Sequence, residues 1–147
     1  MAISDNDVIC SEDCTDARKD GVPTIYVCIT CRGPDGILRD PLPGEVLAVA
    51  TIEAARGRGV KVRPIRCLAN CSRGPSAALR ADGSWTYVFG GLDASTAPAL
   101  VIGARMLAEA ENGILPWRGR PQVLKRGLCA RTPPIDFTEP DCKEDDA

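Results

Sequence analysis

Apolar and polar positions change period several times along this chain, and each change marks an element. TIYVCIT (24–30) is β-branched and aromatic and predicts a strand that carries Cys28, with Cys31 just behind it. GPDGILRDPLPG, with three prolines and three glycines, predicts a loop. After Pro43, the residues Leu42, Val46, Val49 and Ala50 fall at i, i+4, i+7 and i+8 and predict a helix that buries this face. RGRG ends it. VKVRPIRC (60–67) alternates apolar and basic positions, which predicts a second strand with its basic side toward solvent. Pro64 lacks an amide donor and confines that strand to an edge or a bulge. SAALRA and WTYVFG flank Asp82-Gly83-Ser84, a hairpin signal, and Trp85, Tyr87 and Phe89 alternate onto one core-facing side. A last helix is expected from about Ser95 to Asn112, capped by Asp93 or Ser95 and closed by Gly113. Its buried stripe would be Leu100, Ala104, Leu107 and Ala108. No internal repeat interrupts this order.

The sequence of elements is β-α-β-β-β-α, an α/β fold with a mixed four-stranded sheet. Two strands joined by a helix pair in parallel through a right-handed crossover. Their C-terminal ends then lie at one edge of the sheet, where α/β proteins build their sites. Cys28 and Cys31 leave the end of the first strand, and Cys67 and Cys71 leave the end of the second. Four sulfurs remote in sequence are therefore expected to converge.

Composition sharpens this. The 147 residues include eight cysteines and no histidine. Charge is uneven: residues 1–22 carry net −4, residues 134–147 net −5, and the segment between them net +7. One metal-binding domain over 23–133 is expected, flanked by two acidic, disordered, solvated tails at 1–22 and 134–147. The N-terminus is acidic where a secretory signal is basic, and the best apolar run, Ala97 to Ala104, is far short of a membrane span. A cytosolic protein without membrane contact is the expectation. In a reducing compartment, cysteine-rich chains do metal or redox chemistry.

C-x2-C with C-x3-C is a four-thiolate set, and the absence of histidine excludes mixed Cys/His zinc sites, Rieske-type ligation and His-based nucleophilic triads. Zinc held by four cysteines and a 2Fe–2S cluster remain. Zinc ribbons use two C-x2-C knuckles, so the C-x3-C pair leans toward the cluster, whose two irons take thiolates in pairs. Gly74 and Pro75 suit a close backbone approach to the sulfurs and a fixed turn into the third strand. A third reading takes CITC as a thioredoxin-type dithiol. It lacks an immediately following helix, since Gly33, Pro34 and Gly36 come next, and it leaves Cys67 and Cys71 idle. Cys10, Cys14, Cys129 and Cys142 are expected to be incidental, because a second site would require ordering both tails.

VCITCR, CLANCSRGPSAAL, WTYVFGGLD and NGILPWRGRP…RGLCARTPP resemble the bacterial proteins grouped as domain of unknown function 1636, over roughly residues 24 to 134. The element order resembles the thioredoxin-like 2Fe–2S ferredoxins. The resemblance implies a thioredoxin-like fold, Cys28, Cys31, Cys67 and Cys71 as ligands, a gene context in cobalamin biosynthesis and cobalt handling, and a homodimer. One departure is that those ferredoxins separate their first two cysteines by about a dozen residues, not two.

The resulting expectation is a small cytosolic electron carrier, not an enzyme. The alternative is a four-cysteine zinc- or cobalt-binding adaptor or metal donor. Arg32, Arg66 and Arg73 flank the candidate ligands and would tune the cluster and steer an acidic redox partner. Nucleic acid is not expected as a partner, because the basic residues are scattered and no recognition motif occurs.

Overall fold

The computed structural model describes residues 21–33 and 35–138. Its five-stranded sheet has the order β2-β1-β3-β4-β5, built from β1 (Thr24–Cys28), β2 (Lys61–Ile65), β3 (Ala77–Arg80), β4 (Thr86–Phe89) and β5 (Leu128–Thr132). β1 pairs with β2 in parallel, Thr24 opposite Lys61 and Cys28 opposite Ile65. Every other pairing is antiparallel. Three helices accompany the sheet: α1 (Pro43–Ala55), α2 (Ala97–Glu109) and the short α3 (Gln122–Arg126). The expected order β-α-β-β-β-α is present. The sheet is five-stranded rather than four-stranded, because α3 and β5 follow α2.

Local chemistry explains the element ends. Pro43 opens α1, where a missing amide donor costs nothing, and Glu45 Oε2 accepts from the Leu42 amide at 2.8 Å. Asp93 caps the turn Ala94–Thr96 through the Ser95 amide at 2.9 Å, and this turn leads directly into α2. The β3–β4 hairpin closes through a Ser84 amide to Ala81 carbonyl bond of 3.1 Å, with Gly83 at φ +71°. β2 is an edge strand, as Pro64 requires.

α1 and α2 pack against each other and against the sheet, enclosing a core of Ile25, Val27, Leu47, Leu79, Tyr87, Phe89, Leu100 and Leu107. Tyr87 and Phe89 are buried as expected, while Trp85 is half-buried beneath Arg131 and meets Phe137 edge-on at 5.2 Å. On α2, Leu100, Ala104 and Leu107 are buried but Ala108 is exposed. α1 departs further. Its buried residues are Gly44, Leu47, Ala48, Thr51 and Ala55, whereas Val46 and Val49 are 40% and 63% exposed. The helix is apolar nearly all round, so periodicity alone could not choose its face. Small residues at Gly44, Ala48 and Ala55 select the face that approaches its neighbours most closely.

The 113–120 segment is held by one buried cation. Arg120 gives Nη2 to the Leu115 carbonyl at 2.5 Å and Nε to the Pro116 carbonyl at 3.1 Å, and its guanidinium lies over Tyr87 and Trp117. The Tyr87 hydroxyl accepts from the Leu115 amide at 2.9 Å. This accounts structurally for the PWRGRP stretch. Among the described residues, no helix is long and apolar enough to cross a membrane.

Arg120→Ala should destabilise the fold by about 2–4 kcal/mol in urea unfolding, since it strips two loop carbonyls of their charged donor. Arg118→Ala, at an exposed position, should stay within about 0.5 kcal/mol of the parent.

Candidate metal centre

The parallel β1–β2 pair delivers the candidate ligands to one sheet edge. Cys28 is the last residue of β1, and Cys31 follows one turn later. β2 ends at Ile65, Cys67 comes two residues on, and Cys71 opens the 3₁₀ turn Cys71–Arg73. The two strand exits are tied together: the Ile29 amide donates to the Ile65 carbonyl at 2.9 Å, and the Thr30 hydroxyl donates to the Arg66 carbonyl.

The four sulfurs stand as two pairs. Cys31 Sγ lies 2.9 Å from Cys28 Sγ, and both residues are buried. Cys67 and Cys71 are exposed and interact through their side chains. Charge on Cys28 is felt at Cys71, and charge on Cys71 at Cys31, so the two pairs lie within electrostatic reach of one another. Among the described residues, no three metal-ligating side chains form a single tight group.

Each thiol has a distinct electrostatic setting. Burial opposes ionisation of Cys28, but hydrogen bonds from Cys31, Thr30 and the backbone near Leu68 outweigh it, and its pKa falls below the ordinary thiol value. Cys31 is pushed up to about 12, by burial first and then by its bond to Cys28 and the charge there. Cys71 is raised by its bond to Cys67 and by the Cys67 charge. The Cys67 sulfur accepts the Ala69 amide at 3.1 Å.

Two close backbone approaches frame the buried pair. A Cβ on Gly74 would lie 2.9 Å from both Cβ and Sγ of Cys31, so only glycine lets the chain pass this sulfur. The peptide from Gly74 to Pro75 is cis. Gly44, in the first turn of α1, donates its amide to the Cys31 carbonyl at 3.1 Å, and a Cβ there would meet the Cys31 nitrogen at 3.1 Å. α1 starts twelve residues after Cys31, as the glycines and proline implied, yet its N-terminus folds back against the Cys28–Cys31 turn. The donor chemistry suits a thiolate-bound centre, with soft sulfur ligands only and the Gly74 backbone packed directly against Cys31 Sγ.

Of the flanking arginines, Arg32 reaches the Gly36 carbonyl at 3.4 Å, and Arg32, Arg66 and Arg73 are all exposed. Cys129 does not join the four. Its position is the extra residue of a bulge, where the register passes from Ala130 opposite Val88 to Leu128 opposite Phe89. Its sulfur accepts from Asn70 Nδ2 at 3.2 Å, and Asn70 also donates to Ser76 Oγ at 2.9 Å. Asn70 thus braces the C-x3-C loop against β3 and β5. Sequence reasoning missed Thr30, Gly44, Ala69, Asn70 and Ser76. Asn70 and Ala69 sit between two candidate ligands, which was the available signal. Cys10, Cys14 and Cys142, and most of both acidic tails, lie outside the described residues.

The family described as "Protein of unknown function (DUF1636)" matches residues 25–134. No curated protein matches the chain. Among solved structures, it is similar to a thioredoxin-like [2Fe-2S] ferredoxin from Aquifex aeolicus at 16% identity and TM-score 0.45, over 79% of this chain and 97% of that one. A second structure of the wild-type Aquifex aeolicus protein matches at 15% identity and TM-score 0.47, over 74% and 96%. A cysteine-to-serine variant of it matches at 14% and TM-score 0.48, over 74% and 98%.

Two variants test this geometry in metal-free protein. Gly74→Ala should lower stability to denaturant by about 1–3 kcal/mol, because Cys31 must move to admit the methyl group. The raised Cys31 pKa contributes stability that is full below about pH 9 and lost as pH rises toward 12. The lowered Cys28 pKa contributes fully above about 9 and does not offset that loss. Stability measured from pH 9 to 11 should therefore fall more steeply in the parent than in Cys31→Ser.

Proposed function

This chain belongs to the DUF1636 family, and from the pairing of its cysteines we propose that it is a small iron–sulfur electron-transfer protein, with Cys28, Cys31, Cys67 and Cys71 holding a 2Fe–2S cluster. The observation that supports this reading is that the parallel strands deliver the thiols to one sheet edge as two pairs, Cys28 with Cys31 and Cys67 with Cys71. A two-iron cluster takes its thiolates in pairs, whereas a single zinc ion draws four sulfurs around one point. When bound, such a cluster supplies one-electron redox chemistry.

The chain's own residues supply the rest. The buried pair excludes water from one side, and the exposed pair leaves the other side open to a partner. The Ala69 amide donates a hydrogen bond to the Cys67 sulfur, which stabilises negative charge there. Arg32, Arg66 and Arg73 give the rim positive charge that favours a more reduced state and an acidic partner protein. Service in cobalamin or cobalt metabolism, a cytosolic setting and a homodimer complete the proposal.

A second reading has its own support. The 2.9 Å separation of Cys28 and Cys31, one pKa lowered and the other raised, with a helix N-terminus against the turn, is also the arrangement of a dithiol redox pair. The two readings differ at Cys67 and Cys71, which a dithiol does not need.

Each of Cys28→Ser, Cys31→Ser, Cys67→Ser and Cys71→Ser should lose the visible absorption bands of anaerobically purified protein and most of its iron. Cys129→Ser should keep both. Retention of iron by Cys67→Ser and Cys71→Ser, together with dithiol activity, would favour the second reading. Replacing Arg32, Arg66 and Arg73 together by glutamine should lower the reduction potential by roughly 30–90 mV, the effect of three solvent-screened charges on a one-electron couple. An unchanged potential would leave these arginines without a tuning role.

A further inference from the structure

A second feature lies beside the cysteines and does not depend on what they bind. An open cleft of about 440 Å³ runs between the Cys71–Arg73 turn and α3. Arg73, Arg126 and Gln122 line it, with Gly90, Gly91 and Gly127 forming backbone wall. No acidic residue lines it.

Three observations give the cleft a chemical preference. The first is its charge. Residues 112–135 contain five basic residues and no acid, so α3 brings positive charge to this wall without compensation nearby in sequence. The second concerns partners. Three other surface arginines stand beside a carboxylate: Arg39 by Asp35 at 2.6 Å, Arg56 by Glu53 at 3.0 Å and Arg105 by Glu109 at 3.9 Å. The side chains of Arg73 and Arg126 have no such partner among the described residues. Arg73 and Arg126 thus give the cleft wall two positive charges and, among the described residues, no negative one to offset them.

The third is rigidity. The Gly91 amide donates to the Arg73 carbonyl at 2.5 Å, and the Gly90 amide donates to the Gly127 carbonyl at 2.8 Å. The end of β4 thus clamps both arginine-bearing segments. A Cβ on Gly90 would stand 2.6 Å from the Arg73 carbonyl oxygen, and one on Gly127 would stand 2.8 Å from the Gly90 carbonyl oxygen. Any larger residue at either position would push the walls apart. The spacing of the two arginine backbones is set by packing, which pre-organises the cleft before any ligand arrives.

We propose that this cleft binds an oxyanion, a phosphate or carboxylate group, gripped between Arg73 and Arg126. The planar guanidinium fork pairs bidentately with such groups, and two forks suit one oxyanion. The volume admits the anionic end of a small metabolite. It equally admits an acidic side chain of a docked protein, and the chemistry is shared.

The test is calorimetric titration of the full-length protein at low salt, with inorganic phosphate as one probe and a hexaglutamate peptide as the other. Saturable one-to-one binding of either probe is expected, weakened about tenfold or more in Arg73→Gln and again in Arg126→Gln. Binding of phosphate alone identifies a small-molecule source, and binding of the peptide alone identifies a protein source. Arg105→Gln removes equal charge from a paired surface arginine and should leave the affinity unchanged. Arg73→Lys and Arg126→Lys keep the charge but lose the fork, and should weaken binding at least threefold while the near-ultraviolet circular dichroism stays that of the parent. The proposal is overturned if neither probe binds, or if Arg105→Gln weakens binding as much as the cleft variants do.

Discussion

Parallel pairing of β1 with β2 is the constraint from which the site follows. A helical crossover is needed to connect two parallel neighbours, and it brings both strands to the same edge pointing the same way. The chain then needs only a cysteine pair at each exit to gather four sulfurs from positions up to 43 apart in sequence. Every later feature refines this one. The Thr30 hydroxyl and the Ile29 amide lock the two exits together, and the first turn of α1 closes against the Cys28–Cys31 turn.

The two pairs are held by different physics. Cys28 and Cys31 sit under α1 and against Gly74, where burial makes charge costly, so only one of the two ionises readily. Cys67 and Cys71 lie on a solvent-facing loop whose shape depends on backbone. Ala69 adopts φ +57°, a left-handed conformation that non-glycine residues seldom take, and from there its amide reaches the Cys67 sulfur. Asn70 then ties the loop to Ser76 and Cys129. A buried, rigid half and an exposed, braced half suit a centre that must be shielded on one side and approached from the other.

The sequence made the element order and the cysteine placement legible because both rest on local signals: alternation, turn residues and cysteine spacing. The α1 face was not legible. With apolar residues on every side, the decisive quantity was how closely Gly44, Ala48 and Ala55 allow the helix to approach its neighbours, which is a tertiary property. α3 and β5 escaped because five-residue elements give too few periods to detect, and LCART carries only weak alternation. The roles of Gly44 and Asn70 were hidden for a related reason. Each acts on a partner remote in the chain, Gly44 on the Cys31 turn and Asn70 on Cys129. Gly74 was the exception, since a glycine and proline crowded behind two cysteines already signalled a close approach.

The most direct test of the account is the iron and acid-labile sulfide content of full-length protein purified without oxygen. The two-pair arrangement predicts two irons and two sulfides for each chain, in a ratio of one. One zinc per chain with no sulfide, or no bound metal and a dithiol that cycles with Cys67 and Cys71 replaced by serine, would contradict it.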